Sequence, residues 1–150
     1  MVKPEIFSSI IRNTELMDIK LISVESILGT EPEKGKKYSV NLKAKFPFEK
    51  NGLGLVVLSN YNVYFSDNES KDTGIFKFKC MFALHYNVRN LSEYQDDAIK
   101  YFADNNAKFN SWSYFRELLS NITMRMEIGS LVAPLLKPRP PERLARPSKK

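Results

Sequence analysis

The chain has 150 residues, 43% of them hydrophobic, with a formal charge of +6, a size and composition that fit one domain with a sizeable core. No run approaches the ~18 consecutive apolar residues of a membrane span, and the apolar start around Ile6 to Ile11 is too short and too broken for a signal peptide, so a cytoplasmic protein is expected. A single cysteine, Cys80, rules out an internal disulfide, and together with the single histidine, His85, it cannot furnish a structural zinc site.

From Lys137 to Lys150 there are six basic residues (Lys137, Arg139, Arg143, Arg146, Lys149, Lys150) and one acid, Glu142, so +5 of the +6 sits there. The rest of the chain is near neutral. Four of the eight prolines (Pro138, Pro140, Pro141, Pro147) fall in the same stretch, and this composition reads as an extended basic tail, residues 137–150, that needs no packed partner.

Residues 1–14 show no clear period and read as an N-terminal arm or a short helix. Leu16 to Leu28 alternates, with Met17, Ile19 and Leu21 on one parity and Ile22, Val24 and Leu28 on the other. The switch at Leu21 and Ile22 predicts a bulged strand or one buried on both faces. Pro32 and Gly35 mark a turn. Tyr38, Val40, Leu42, Ala44, Phe46 and Phe48 then alternate with Lys37, Ser39, Asn41, Lys43 and Lys45, which predicts a strand with one wet face. Pro47 and the run Glu49 to Gly54 interrupt it. A third strand is expected from Leu53 to Phe65, and SDNESKDTG is a polar hairpin connection. The fourth strand places Phe76, Phe78, Cys80, Phe82, Leu84, Tyr86 and Val88 on one side and Lys77, Lys79, Met81, Ala83 and His85 on the other.

Ser92 and Gln95 match a capping box, so a helix is predicted from Ser92 to about Asn105 and Asn106. A second helix starts at Ser111 or Ser113. Its apolar stripe is Trp112, Phe115, Leu119, Ile122 and Met126, spaced three, four, three and four apart, and Gly129 is expected to end it. The opposite face would present Ser113, Ser120, Thr123 and Met124. The fold class is therefore α+β: a four-stranded antiparallel sheet followed by a long helical region packed on one face.

The sequence lacks a nucleophile paired with a base, a carboxylate pair, a metal cluster and a glycine-rich phosphate loop, so neither enzyme chemistry nor a cofactor is expected. His85 reads as a half-buried structural residue and Cys80 as a core thiol. Asp96 and Asp97 open a helix, where they complement its dipole.

Trp112, then Tyr114, Arg116 and Glu117, then Ser120 and Arg125, followed by the Leu131 to Leu136 run containing Pro134, resemble the long helix and following loop of the SecB family of protein-export chaperones. Here the loop reads LVAPLL, with its proline about one residue early. The resemblance covers roughly residues 15–136, which would form the SecB-like domain. It implies an ATP-independent holdase, a homotetramer built as a dimer of dimers, that binds unfolded or preprotein polypeptides and delays their folding. Phe46, Phe48, Leu53 and Leu55 would fall near the family's client grooves, and Ser113, Ser120, Thr123 and Met124 would make the dimer-of-dimers contact.

Three features depart from that pattern. The proline-rich tail is a poor continuation helix; the polar strand parity carries Lys43, Lys45, Lys77 and Lys79, where docking of the SecA motor uses acidic residues; and the tail is itself basic. A basic outer face suits a partner other than SecA, and SecB-like proteins also serve as dedicated antitoxin chaperones in toxin-antitoxin systems. The alternative from another class is a single-stranded nucleic-acid-binding module that uses the lysine face, His85, the tail, and Tyr61, Tyr64 and Tyr86 as stacking rings. The near-neutral body and the lack of an RNA-binding signature rank it second.

Overall fold

In the computed structural model, residues 2–31, 35, 37–66 and 72–128 are described. The helix α1 (Pro4–Asn13) opens with proline at its first turn, where the missing N–H costs nothing. The Phe7 ring meets Tyr101 edge-on at 4.9 Å, and the Tyr94 hydroxyl joins Ser9 Oγ and Asn13 Nδ2, each at 2.8 Å. The N-terminal stretch is thus a docked helix, with Ile10 fully buried beneath it.

Five strands follow: β1 (Thr14–Leu28), β2 (Ser39–Lys45), β3 (Phe48–Asn51), β4 (Gly54–Ser66) and β5 (Asp72–Val88). They form one antiparallel sheet in the order β1-β5-β4-β2, with β3 pairing the start of β4 beside β2. β2 and β3 are one edge position broken at Phe46 and Pro47. The run from Glu49 read as an interruption is therefore partly a strand: Asn51 pairs with Gly54 across the two-residue loop Gly52–Leu53, and Gly52 takes φ +61°, the left-handed value that a tight hairpin needs at its first central position. β1 slips register twice, between Leu16 and Asp18 and between Leu21 and Ser23, which places bulges at Met17 and Ile22. The second is where the apolar parity switches, because an extra residue returns the strand's apolar side to the same face.

Phe76, Phe78, Cys80, Phe82, Leu84, Tyr86 and Val88 are all buried on one face of β5, and Leu55, Val57, Tyr61 and Val63 join them from β4. Helices cover this inner face. A 3-10 turn (Leu91–Glu93) precedes α2 (Asp96–Phe102), whose N-cap is Gln95. The capping box at Ser92 does not form, and the helix starts four residues later with two acids in its first turn. Nor does the chain break at Asn105: a π turn (Ala103–Ala107) carries α2 directly into α3 (Lys108–Arg125).

The π turn has a packing reason. Ile99, Ala103, Ala107, Ser111, Phe115, Leu119 and Thr123 are buried at constant intervals of four, yet four residues of α-helix overshoot a full turn by about 40°. The track would drift off the sheet. One wide turn takes back part of that drift, and two asparagines in it, which read locally as a helix end, mark the place. At the other end Met126 caps the helix and Glu127 adopts φ +59°, so α3 stops at Arg125, four residues before Gly129, which itself lies outside the described residues.

Candidate functional site

α3 crosses the inner face diagonally. Lys108 begins it near β2 and β4, and Met126 Sδ reaches Ser26 Oγ of β1 at 3.5 Å. In the middle the contact is aromatic: Tyr61 stacks on Phe115 at 4.3 Å, with Trp112 and Phe78 against the same ring at 5.1 and 6.2 Å. Ser111 Oγ donates to the Ala107 carbonyl at 2.8 Å, so the Tyr61 hydroxyl, 2.7 Å away, donates to it, and Ser59 Oγ lies at 3.0 Å. Burial lifts the Tyr61 phenol well above its ordinary range and pushes Tyr86 up to about 12, partly offset by its hydrogen bond with Asn110. Burial alone pushes the Cys80 thiol to about 12. These groups stay neutral and structural.

One helix cannot cover four strand positions, so both edges of the inner face stay open. On one flank Leu42, Ala44, Phe46, Pro47 and Phe48 line a groove of about 950 Å³ whose far wall is Lys100, Asp104 and Lys108. Val40 and Leu42 are 51% and 40% exposed there. On the other flank the edge strand β1 leaves Leu21, Val24 and Leu28 44–48% exposed on the inner face, beside Tyr114, which rests on Phe82. A pair of open apolar strips on one molecule exceeds the scatter of single exposed side chains expected on a surface.

The residues expected at the site separate accordingly. Phe46 and Phe48 line the groove. Leu55 is fully buried in the core, and Leu53, 61% exposed, sits at the hairpin tip beside Arg12 and Arg89. On α3, Ser113 and Met124 face outward and Ser120 is half-buried, but Thr123 is buried, its Oγ1 donating to the Leu119 carbonyl at 2.8 Å. Thr123 therefore belongs to the sheet-facing side, since it lies four residues after Leu119. Trp112 is core; Tyr114, Glu117 and Arg125 are exposed and Arg116 is half-buried. Pro134, the loop around it and the tail 137–150 lie outside the described residues. The helix side of the groove was not anticipated, although Lys100, Asp104 and Lys108 at intervals of four signal one polar helix face.

The outer face carries Lys43, Lys45, Lys77 and Lys79 around Asn60, Asn62 and Tyr64. His85 Nδ1 meets Asp18 Oδ1 at 2.6 Å on the same side. Tyr61 and Tyr86 are 1% and 3% exposed on the inner face, so two of the three rings invoked for nucleic-acid stacking are buried under the helices. Among the described residues no cluster suits a metal ion, and no helix is long and apolar enough to cross a membrane.

No protein-family model matches the sequence, and no curated protein matches it. Among solved structures, the SecB-like chaperone Rv1957 of Mycobacterium tuberculosis, in complex with a ChAD peptide from the Rv1956 HigA1 antitoxin, superposes with a TM-score of 0.77 over 89% of this chain and 98% of its own, at 14% identity. The fold is SecB-like. A Streptococcus agalactiae protein of unknown function covers 81% of this chain at 8% identity with a TM-score of 0.39.

Proposed function

We propose that this chain is an ATP-independent holdase of the SecB-like type that works in the cytoplasm on unfolded polypeptides or on a dedicated antitoxin. The observation that carries the reading is the open apolar groove of Leu42, Ala44, Phe46 and Phe48 against the helix. Such a groove can take extended segments of many sequences: β2 offers an edge for backbone hydrogen bonds, and the apolar side chains accept alternate residues of the segment. The antitoxin peptide held by the mycobacterial protein supports a polypeptide partner. Delivery to SecA fits less well, because Lys43, Lys45, Lys77 and Lys79 would repel a basic motor tail.

Self-association belongs to the same reading. β1 is a 15-residue strand whose outer backbone side pairs with no strand among the described residues, and it carries seven exposed apolar residues, Leu16, Met17, Leu21, Ile22, Val24, Ile27 and Leu28. Edges of that length are normally blunted or paired. Pairing β1 with β1 of a second copy would extend both sheets, and the outward face of α3, including Ser113, Ser120 and Met124, would serve a dimer-of-dimers contact.

The test is suppression of aggregation of a chemically denatured client, with and without single-stranded RNA, at low and high salt. Suppression that survives both, and that falls in Leu42→Glu, is the expected result. Failure of the unmodified protein to suppress, together with salt-sensitive RNA binding, would overturn the reading.

A further inference from the structure

The outer face of the sheet holds a second surface of different chemistry, which adjoins the apolar groove at Lys45 and Asn60 and extends away from it through Lys43, Asn62 and Lys79. Strand register aligns its side chains in rows: Lys45–Asn60–Met81–Ser23, then Lys43–Asn62–Lys79–Glu25, then Asn41–Tyr64–Lys77–Ile27. Two adjoining hollows of about 410 and 380 Å³ lie over them and share Lys43, Asn62 and Lys79.

The lysines differ in commitment. Lys77 Nζ is paired with Asp72 at 3.1 Å, and that carboxyl is held below its usual range first by the Gly74 backbone N–H and then by Lys77. Among the described residues Lys43, Lys45 and Lys79 make no ion pair; Lys43 instead lies over the Tyr64 ring, 5.7 Å from its centre. Glu25 is the nearest counter-charge in register with Lys79. Three ammonium groups with no carboxylate partner among the described residues therefore surround a central pair of asparagine amides, which can donate to and accept from a peptide backbone.

We propose that this face docks an acidic polypeptide segment, its carboxylates meeting Lys43, Lys45 and Lys79 and its backbone meeting Asn60 and Asn62. Charge complementarity selects the partner. The chain's own tail, with six basic residues and one acid, is repelled from the surface and cannot be its occupant. A nucleic-acid strand fits less well: Tyr64 is the one ring among these rows, and Glu25 and Asp72 face a continuous line of phosphates but can be spaced around by discrete side chains.

Fluorescence anisotropy of the full-length protein with a labelled peptide of about 12 residues, half of them glutamate, tests this at two salt concentrations. Binding that weakens with salt, falls at least about 10-fold in Lys43→Glu/Lys79→Glu and is absent for the same peptide with lysine in place of glutamate is the expected result. Both lysines are exposed, and a milder Lys43→Gln/Lys79→Gln pair guards against a local distortion. Aggregation suppression should be unchanged in these variants, so loss of acidic-peptide binding and loss of holdase activity can be told apart. Three outcomes overturn the proposal: no binding by the unmodified protein, binding that persists in both lysine variants but is lost in Arg143→Glu/Arg146→Glu of the tail, or tighter, lysine-dependent binding of an oligo-dT strand.

Discussion

Val24→Lys is the sharpest probe of the β1 edge. Val24 lies on the inner face of β1 opposite Cys80 and is 44% exposed, which leaves roughly 70 Å² of apolar surface, worth about 1.7 kcal/mol if a partner buries it. In a two-fold interface each position occurs twice, so truncating the contact costs about 3.5 kcal/mol and raises the dissociation constant by about 300-fold, before any repulsion between two ammonium groups. The seven exposed apolar residues of β1 together present roughly 600 Å² per copy, or about 1,200 Å² for a pair, the lower end of specific interfaces. The assay is light scattering coupled to gel filtration over a concentration series, with circular dichroism to establish that the variant is folded. A dimer or larger assembly that dissociates to folded monomer in Val24→Lys is expected. An unmodified protein that is monomeric at every concentration, or a variant with unchanged mass, refutes the assignment of β1 as the self-association edge.

Phe115→Ala removes a fully buried ring that stacks on Tyr61 and touches Trp112 and Phe78, and should lower stability in urea unfolding by about 3–5 kcal/mol. Tyr61→Phe should cost about 1 kcal/mol, because Ser111 keeps Ala107 and Ser59 as partners, whereas Ser111→Ala leaves the buried Tyr61 hydroxyl only the Lys108 carbonyl at 3.5 Å, removes a contact of Ser59, and should cost about 1–3 kcal/mol; equal losses in calorimetry would contradict this asymmetry. Cys80 is an acid whose folded pKa, about 12, lies above its ordinary value of 9.0. Between those values the unfolded chain has lost a proton that the folded chain keeps, so stability falls as pH rises from about 9 towards 12; Tyr61 and Tyr86, raised by the same burial, add to the fall above about 10, so Cys80→Val should reduce the slope of the urea midpoint most between about pH 9 and 10. For the same reason Cys80 should react with a disulfide reagent at pH 8 only at the rate of unfolding; prompt labelling of the native protein would show the thiol to be accessible.

Four of the five strands, their parity, the parity switch at Leu21 and Ile22, and Trp112, Phe115 and Leu119 of the α3 stripe were legible in the sequence because each is a local pattern, written in side chains a few residues apart; Ile122 and Met126 of that stripe are only half-buried, because the buried track runs through Ser111 and Thr123 instead. Thr123 was assigned to the wrong side of α3, since a threonine with its hydroxyl bonded to the turn before it is as compatible with burial as with exposure. Asn105 and Asn106 carried the signature of a helix end, but the demand for a continuous buried track kept the helix going through a π turn. Local preference lost to packing there.

Alternation of side chains says that a strand has two faces. It does not say which strands neighbour it, and long-range pairing alone put β1 beside β5 at one edge and β2 beside β4 at the other. That order decides which apolar surface stays open. The diagonal of α3 across four strand positions covers the centre, buries Tyr61, Tyr86 and Leu55, and leaves Leu42, Phe48 and Val24 at the open flanks. The amino-acid sequence by itself determined an amphipathic sheet and an amphipathic helix; only their packing, a layer narrower than the sheet it covers, determined where apolar surface stays open.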